Sequence, residues 1–447
     1  MVSWLPRFSI LHHPLEHKKK ITMNAIDILK ERGFLYQLTD EEATRKKLEE
    51  GPQTFYIGFD PTADSLHVGH LLPVMGMRWL QKCGHRPIAL VGGGTGMIGD
   101  PTGRTSARKV LTVEDIDHNC DCIKQQLSRF LDFSDGQARL INNADWLRNL
   151  HFIDFLREVG PLFSVPEMTK KESVRARWET GITFLEFAYP LLQGYDFYTL
   201  YKKYNCILQF GGQDQWGNIT VGTEMTRRLC GGEVYGVTFP LLLKSDGTKF
   251  GKSAGGAVWL DPEKTSPFQY YQFWRNTNDE DVAKVLAFFT ALPMDEIQRL
   301  GALQPPMLNR AKEILAYEAT ALAHGHDIAM KAFVAAGNEF GFADPQHTIP
   351  TSSRIAETPV IDLTADLPTC EVTQAELDNG LFIYALLLKA ELCKSSSDAR
   401  RLVKGGGCSI DSNKITDEKY QISASDFNDG SFILKAGKKS RKKIKLV

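Results

Sequence analysis

Thr54–His70 reads TFYIGFDPTADSLHVGH, and this stretch decides the class of fold. Its first six residues, Thr54–Phe59, are apolar and rich in aromatic side chains, so they predict a short buried β-strand. A polar loop begins at Asp60, and His67–His70 then opens an amphipathic segment that predicts a helix. This order puts a helix N-terminus just beyond a strand. Free N–H groups and the positive end of the helix dipole can bind phosphate there.

Further apolar runs alternate with amphipathic stretches as far as Leu243. The alternation predicts an α/β fold, with a parallel sheet covered by helices on both faces. Ligands of such sheets bind beyond the carboxyl ends of the strands, and Gly58, Gly92 and Gly211 lie at three such ends. Helices are predicted to begin near His67 and Gln213, and the predicted strands are Thr54–Phe59, Arg86–Gly92, Ala138–Asn142, Cys206–Gly211 and Val237–Leu243.

Two glycine-rich segments, Gly92–Gly96 and Gly99–Gly103, follow the second predicted strand. They lack the Gly-Lys-Ser/Thr ending of a phosphate loop, so the sequence argues against that motif. Glycine instead allows a substrate to approach the backbone closely. Asp100 is then either a carboxylate for an ammonium group or part of an Asp-Pro turn.

A second motif, Lys249–Ser253, reads KFGKS. Gly247 and Gly251 lie on either side of Lys249, which predicts a flexible loop. Two lysines and a hydroxyl on such a loop can close on a departing phosphate group.

Tyr189, Gln193 and Asp196 are spaced i, i+4 and i+7 in a segment with a helical pattern. They therefore share one face of a helix. A buried polar face needs a polar ligand or a polar partner, so we expect these side chains to line a binding site.

Composition narrows the class of protein. The 447 residues suggest two to four domains, and the net charge of −1 means that nucleic-acid binding requires a local basic patch. The eight cysteines show no zinc-ligand spacing, which predicts no metal site and fits a reducing cytoplasm. No apolar run reaches the ~20 residues of a membrane span. In residues 1–22 the lysines follow the short apolar stretches, so a secretory signal is disfavoured and a disordered extension is predicted.

The later parts of the chain differ in character. Residues from about 144 to 204 carry many large apolar side chains and read as a helical insert, which forms either ordinary core or a subunit interface. Helical patterns continue to residue 340, and the proline-rich residues 341–370 read as a linker. Beyond it we predict helices over Ala375–Leu392 and Ser396–Lys404, a hairpin over Cys408–Ile415, and a tail, Lys435–Val447, with seven basic residues.

His67–His70 and Lys249–Ser253, in this order, resemble the two ATP-handling motifs of class I aminoacyl-tRNA synthetases. The surrounding residues narrow the resemblance to the tyrosyl-tRNA synthetases, whose bacterial members often have Phe-Gly where others have Met-Ser. The implied organisation is a Rossmann-like catalytic domain (23–245) with a helical dimer insert (about 144–204), an α-helical domain (246–340), a linker (341–370) and a small α+β S4-like RNA-binding domain (371–447). A cytoplasmic homodimer is implied as well.

The resemblance also implies four groups of site residues. Catalytic roles fall to His67, His70, Lys249, Lys252, Ser253 and Thr62. ATP, arriving with Mg²⁺, is bound by Gly69, Gly212, Asp214, Asp60, Arg104 and Arg108. L-tyrosine is bound by Tyr56, Gly58, Asp100, Tyr189, Gln193, Asp196 and Gln215, with Tyr56 and Asp196 at the phenol. tRNA(Tyr) is bound by Arg400, Arg401, Lys404, Lys438 and Lys439.

Three alternatives remain. A small-molecule nucleotidylyltransferase could use the histidine motif, but it has no use for a basic C-terminal module. A non-catalytic RNA-binding relative should have lost the lysine loop. A tryptophanyl-type synthetase is the nearest rival, and the Tyr56–Asp196 pair argues against it.

Overall fold

The computed structural model describes residues 24–102, 111–175, 178–179, 181–243, 245, 247, 250–253, 256–358, 368–411, 413–427, 430–437 and 440–447. The predicted extension (1–22) lies outside these residues, as do Arg104, Arg108, Lys249, Lys438 and Lys439. The chain divides into two compact units after Phe333.

The first unit is built around a six-stranded sheet. Its strands are β1 (Gln37–Leu38), β2 (Thr54–Phe59), β3 (Arg86–Val91), β4 (Arg139–Asn142), β5 (Cys206–Gly212) and β6 (Tyr235–Phe239). The order is β1-β6-β5-β2-β3-β4, with β1 antiparallel to β6 and the other five strands parallel. The predicted α/β parallel sheet is thus confirmed.

Four of the five predicted strands begin and end within one residue of the observed bounds, but the prediction for the fifth was wrong. It gave Val237–Leu243, whereas β6 is Tyr235–Phe239. Pro240 follows directly, and because proline has no N–H to donate to the ladder, the strand ends before it.

The strand order determines where a ligand can bind. β2 lies between β3 and β5. The chain builds outward on one side through β3 and β4 and then crosses back to β5, so the strand order reverses beside β2. The carboxyl ends of β2 and β5 flank this switch point, where open α/β sheets bind their ligands.

Ten helices surround this sheet in the described part of residues 24–230. They are α1 (Ala25–Glu31), α2 (Glu41–Glu49), α3 (Leu71–Lys82), α4 (Val113–Leu127), α5 (Ala144–Leu147), α6 (Phe152–Val159), α7 (Val165–Met168), α8 (Glu172–Arg175), α9 (Phe184–Tyr204) and α10 (Trp216–Cys230). α3 begins after a 3₁₀ turn at Val68–His70. Pro73 lies in its first turn, whose N–H groups have no partner within the helix, so the proline is well tolerated.

α9 carries three of the predicted site residues. Thr183 and Glu186 form a capping box at its N-terminus, and Asn205 ends it in the left-handed conformation, with φ +50°. The helix continues through Pro190.

A short hairpin and five helices complete the described part as far as residue 340. They are β7 (Lys252–Ser253), β8 (Gly256–Ala257), α11 (Pro267–Arg275), α12 (Val282–Phe289), α13 (Met294–Gly301), α14 (Leu308–His324) and α15 (His326–Phe340). Arg32 connects α12 to the sheet layer. Its guanidinium donates to the carbonyl oxygens of Ala287, Thr290 and Leu292 at the end of α12 and lies 3.8 Å from the centre of the Trp79 ring on α3. The position of α12 is therefore fixed relative to the helix that follows His67–His70.

The second unit contains a five-stranded sheet and three helices after residue 367. They are β9 (Thr369–Val372), α16 (Gln374–Asp378), α17 (Ile383–Lys389), α18 (Ser396–Lys404), β10 (Cys408–Ile410), β11 (Asn413–Ile415), β12 (Ser431–Ala436) and β13 (Ser440–Leu446), and the sheet order is β11-β10-β12-β13-β9. The core includes Val372, Leu386, Val403, Phe432 and Ile444.

The structure corrects two expectations in this unit. The single helix predicted over Ala375–Leu392 is two helices, because Gly380 between them has φ +82°. The basic stretch predicted as a tail forms β13 over Ser440–Leu446, with Ile444 fully buried. The prediction of α18 and of the hairpin β10–β11 is confirmed.

Two further findings concern predicted features. In the predicted linker, the described residues 341–358 include a 3₁₀ turn at Arg354–Glu357, in which Ile355 is fully buried. Within the described parts of the chain, no helix is both long and apolar enough to cross a membrane.

Candidate active site

Four buried side chains form a group that we call the floor of the pocket: Tyr56, Asn143, Trp146 and Asp196. The Asn143 amide donates to Asp196 Oδ2 at 2.9 Å, and Trp146 Nε1 donates to Oδ1 at 2.8 Å. The hydroxyl of Tyr56 is buried without a hydrogen-bond partner among the described residues. A buried polar group of this kind costs free energy unless a ligand completes its hydrogen bond.

Burial controls the protonation of the floor. It raises the pKa of the Asp196 carboxyl to about 7, although the hydrogen bonds from Asn143 and Trp146 act to lower it. Burial also raises the pKa of the Tyr56 hydroxyl well above its usual value, and the nearby Asp196 charge adds to this. Near neutral pH, Tyr56 is therefore a neutral donor. It lies beside the Asp196 carboxyl, whose pKa is close to the pH of the solution.

Tyr189 lies on the same helix as Asp196 but takes a different partner. Its hydroxyl donates to Asp60 Oδ2 at 3.2 Å, and Thr95 Oγ1 donates to Asp60 Oδ1 at 3.1 Å. Asn143 also donates to Thr95 Oγ1 at 3.0 Å, which links Asp60 to the floor. The resemblance places Tyr189 and Asp100 together at the bound amino acid, and in the structure the Tyr189 hydroxyl is hydrogen-bonded to Asp60.

Asp100 belongs to a second hydrogen-bonded group, in which its partners are side-chain amides. Gln215 Nε2 donates to Asp100 Oδ2 at 2.7 Å, and Gln193 Nε2 donates to Gln215 Oε1 at 3.3 Å. Asn218 donates to Gln193 Oε1 at 3.0 Å. The backbone N–H of Thr102 occupies Asp100 Oδ1. The Asp100 side chain can also accept a hydrogen bond from an ammonium group.

Glycine provides both space and close contact around these groups. Gly58 is exposed in β2, and a side chain added there would meet nothing within 4 Å, so the strand is open to a ligand. Gly93 and Gly94 donate their N–H groups to Asn142 and Asn143. Because asparagine side chains occupy these two donors, this segment is not a phosphate loop.

His67 and His70 lie just before α3 and form a capping box on the 3₁₀ turn Val68–His70. His67 Nδ1 accepts from the Gly69 N–H at 3.0 Å, and His70 Nδ1 accepts from the His67 N–H at 3.1 Å. Burial, and to a lesser extent His67, lowers the pKa of His70 to about 3. Because Nδ1 of each ring accepts a hydrogen bond, Nε2 of each ring is the nitrogen that can donate, and the neutral His70 ring does not supply a charge.

The backbone at the histidine motif is hydrogen-bonded to the segment that follows the lysine motif. Val68 N donates to Val258 O at 2.9 Å, and Leu260 N donates to Leu66 O at 2.8 Å. A side chain on Gly251, which has φ +92°, would lie 3.1 Å from Gly69 N. The resemblance assigns Gly69 to ATP binding. In the structure, the His67 ring and Gly251 pack closely at Gly69.

Phe250 fixes the lysine motif to the helices beyond it. Its ring centre lies 5.3 Å from that of Phe273 on α11 and 6.0 Å from that of Phe289 on α12. Its N–H donates to Leu242 O at 3.0 Å. The loop that carries the predicted catalytic lysines is thus anchored at its second residue.

For the other predicted site residues, the structure gives the position in the fold. Thr62 and Asp214 are exposed, Gly212 ends β5, and Lys252 and Ser253 form β7. Arg400, Arg401 and Lys404 lie on α18 in the second unit. Among the described residues, no three or more His, Cys, Asp or Glu side chains form a group that could hold a metal ion.

Sequence reasoning missed four polar residues of the site: Thr95, Asn143, Trp146 and Asn218. Asn143 follows directly after the predicted strand Ala138–Asn142, so its position at a carboxyl strand end was a usable signal. Asn218 is three residues after Gln215 on a predicted helix, and this spacing places the two on one face. Thr95 lies within the glycine-rich segment Gly92–Gly96, whereas nothing local marked Trp146.

Comparisons of this sequence with family models and with known proteins match it to the same family. A family model described as tRNA synthetases class I (W and Y) matches residues 48–341, and one described as the tyrosine–tRNA ligase SYY-like C-terminal domain matches residues 360–443. The tyrosine–tRNA ligase of Clostridium beijerinckii is 50% identical over 95% of this chain and 99% of its own length. The ligase of Clostridium botulinum is 49% identical over 94% of this chain and 99% of its own length.

A solved structure resembles most of this chain as well. The C-terminally truncated mitochondrial tyrosyl-tRNA synthetase of Aspergillus nidulans superposes with a TM-score of 0.63 at 30% identity. The match covers 70% of this chain and 93% of that one.

Proposed function

Because this chain belongs to the class I tRNA synthetases, and within them to the tyrosine–tRNA ligases, we propose that its site joins L-tyrosine to tRNA(Tyr) in two steps. The tyrosine carboxylate attacks the α-phosphate of ATP in line, and pyrophosphate leaves. A ribose hydroxyl at the tRNA 3′ end then attacks the acyl carbonyl, and AMP leaves. Neither step needs a covalent enzyme intermediate, so catalysis rests on positioning and charge stabilisation.

The observation that carries the substrate assignment is the buried, unpartnered hydroxyl of Tyr56 beside Asp196. A substrate phenol placed between them accepts from Tyr56 and donates to the Asp196 carboxylate. Phenylalanine would leave the buried Tyr56 hydroxyl without a partner and would offer no donor to Asp196, which costs free energy. An indole N–H, as in tryptophan, could donate but could not accept from Tyr56.

The rest of tyrosine follows from the polar groups above the floor. We assign the ammonium group to Asp100, Tyr189 and Gln193, and we place Gln215 near the reacting carboxylate. Gly58 leaves room for the substrate over β2. Tyr189 also donates to Asp60, whose second neighbour Thr95 is connected to the floor.

ATP is assigned to the region where the two motifs meet. We propose that Nε2 of His67 and Nε2 of His70 donate to phosphate oxygens as charge develops, with Thr62 and with Lys249, Lys252 and Ser253 from the lysine loop. Gly69, Gly212, Asp214, Asp60, Arg104 and Arg108 complete the proposed nucleotide contacts. Mg²⁺ enters with ATP as part of the substrate and binds mainly through its phosphates.

The C-terminal unit is proposed to be an S4-like RNA-binding domain, spanning 371–447, that binds tRNA(Tyr). α18 exposes Arg400, Arg401 and Lys404, and β13 adds four cations. Such patches bind phosphates and release counterions, so affinity should fall with salt. Protein truncated after Pro368 should keep tyrosine-dependent pyrophosphate exchange and lose most tRNA charging.

We also propose a homodimer formed through the helical insert, for which the apolar surface of that insert is the support. Phe152 is 61% exposed, Trp178 61% and Phe184 68%. Exposed apolar side chains of this size mark interaction surfaces, and closed dimers are the commonest assembly. Sedimentation at micromolar concentration should give twice the 50.1 kDa chain mass.

Two further proposals concern the cellular compartment of the enzyme and the limits of its domains. The eight cysteines are all unpaired, which fits a reducing compartment, so we propose that the enzyme works in the cytoplasm. The domain limits 23–245, 246–340 and 341–370 stay proposals.

The deciding experiment is pyrophosphate exchange with each of the twenty amino acids in turn. Tyrosine alone should support exchange. Exchange with tryptophan in place of tyrosine would reject the phenol assignment in favour of the tryptophanyl alternative.

A further inference from the structure

Two aromatic rings and a guanidinium are stacked on the surface of the C-terminal unit. The rings of Phe382 and Tyr384 are 5.5 Å apart at 13° to each other, and the Arg400 guanidinium lies 4.2 Å from the centre of the Tyr384 ring. Both rings are half-buried and Arg400 is exposed. We call these three side chains the platform.

The backbone under the platform is fixed. Ile383, between the two rings, is fully buried, and its N–H donates to Tyr420 O at 2.9 Å. Ile422 N donates to Leu381 O at 2.8 Å, and Phe382 forms an antiparallel bridge with Gln421. The two rings are thus held by a buried residue between them and by an adjacent strand-like segment.

Arg400 differs from the other cations of its helix. Arg401 pairs with Asp398 at 2.9 Å, and Lys404 pairs with Glu418 at 3.1 Å. Arg400 has no carboxylate partner among the described residues and contacts the Tyr384 ring instead. Its planar guanidinium is therefore oriented by an aromatic face, while no residue in the described part of the chain accepts a hydrogen bond from its N–H groups.

We propose that Phe382, Tyr384 and Arg400 bind an unpaired nucleobase of tRNA by stacking; this rests on the proposed role of the C-terminal unit in tRNA binding. A phosphate group needs cations but gains nothing from two parallel rings. A flat base stacks on an aromatic or guanidinium plane and can accept hydrogen bonds from a free guanidinium edge. The cations of α18 and β13 then supply the phosphate contacts that bring the base to the platform.

The test compares two oligonucleotides on the full-length enzyme by fluorescence anisotropy. One is a single-stranded hexamer of adenosine, and the other is a hexamer of the same length and charge without bases. Wild type should bind the adenosine hexamer at least about tenfold more tightly, a preference of the size expected for base stacking on an aromatic ring.

Substitutions locate the preference. Tyr384→Leu, Phe382→Leu and Arg400→Lys should each reduce it at least about threefold, and Arg400→Lys does so with charge retained. Tyr384→Phe keeps the ring and should keep the preference. Lys389→Ala, a change of a cation paired with Glu376, is the matched control and should leave the preference unchanged. Thermal unfolding of each variant checks its fold.

Equal binding of the two hexamers by wild type, or a preference that survives Tyr384→Leu, overturns the platform. The proposed tRNA role is tested separately by charging kinetics of the double variant Arg401→Ala/Lys404→Ala. An unchanged KM for tRNA there rejects the tRNA role. A raised KM together with equal hexamer binding rejects the platform alone.

Discussion

The floor of the pocket and the proposed phosphate end, where the motifs His67–His70 and Lys249–Ser253 meet, are built by different means. At the floor, side chains from separate parts of the chain hold one another, and both oxygens of Asp196 are occupied by buried donors. At the phosphate end, backbone holds backbone: Val68 pairs with Val258, and Gly251 packs on Gly69. A specificity pocket gains from rigid, dry hydrogen bonds, whereas charge transfer to pyrophosphate gains from a segment that can move.

The two regions also differ in how they attach to the rest of the fold. The floor is part of the sheet and of α5 and α9. The lysine motif attaches through the Phe250 ring to α11 and α12, and Arg32 fixes α12 to the sheet layer. Changes at the floor should therefore alter which amino acid is used, and changes at the phosphate end should alter how fast it reacts.

Asp196→Ala gives the largest expected effect. It removes the substrate's acceptor and leaves the donors of Asn143 and Trp146 unpaired in a buried site, at about 1–3 kcal/mol each. We expect kcat/KM for tyrosine in pyrophosphate exchange to fall roughly 10²- to 10⁴-fold, with KM for ATP nearly unchanged. Asp145→Ala, at an exposed carboxylate in α5, serves as control. Unaltered tyrosine affinity in Asp196→Ala would remove the basis for naming the substrate.

The substitutions His67→Ala and His70→Ala should give the second-largest effect. If each Nε2 donates mainly to developing charge, single-turnover adenylate formation should slow by about 10²- to 10³-fold with little change in substrate affinity. Since the pKa of His70 is lowered to about 3, this step should show no inflection near pH 6.5 from His70. His118→Ala, at an exposed position on α4, is the control. A defect confined to binding would contradict the assigned role.

A pH effect of about tenfold is expected at the floor. The pKa of Asp196 is raised to about 7, and the phenol needs an ionised acceptor, so kcat/KM for tyrosine should fall about tenfold from pH 8 to pH 6. Asp196→Asn should abolish this inflection. For stability the sign is opposite: because the pKa is raised on folding, the contribution of Asp196 is present at acidic pH and is lost as the pH rises through about 7.

Phe250→Leu gives the smallest effect and tests the separation of the two regions. Weaker aromatic packing at the lysine motif should slow adenylate formation about threefold to tenfold while leaving the affinity for tyrosine unchanged. Phe340→Leu, at a ring that is 66% exposed, is the control. Weakened tyrosine affinity in Phe250→Leu would show that the floor and the phosphate end are coupled.

Most of the sheet could be predicted because burial leaves a local signal. Runs such as Thr54–Phe59 are continuous and apolar since parallel strands are covered on both faces, and their bounds are close to those observed. The predicted range of β6 was shifted toward the C-terminus. Pro240 ends the strand because it lacks an N–H for the ladder, and a hydropathy pattern does not show this. In the second unit, the stretch Lys435–Val447, with its seven basic residues, was predicted to be a tail, although Ile444 is buried between two lysines in β13.

For the candidate site, sequence identified which residues carry useful chemistry but not how they pair. Helical spacing correctly put Tyr189 and Asp196 on α9, yet one bonds Asp60 and the other bonds Asn143 and Trp146. These pairings join residues between 50 and 129 positions apart in the chain. No local periodicity encodes a contact of that range.

The sequence by itself determined the parallel sheet, the helix face with Tyr189, Gln193 and Asp196, and the two motifs that mark an ATP site, because strands, helices and glycine turns obey short-range rules. Only the tertiary structure decided that Asn143 and Trp146 fill the oxygens of Asp196, that Gly251 packs on Gly69, and that Arg400 stacks on Tyr384. Those contacts depend on how the strands and helices are brought together. Burial there changes the free energy of each polar group, as the raised pKa of Asp196 shows.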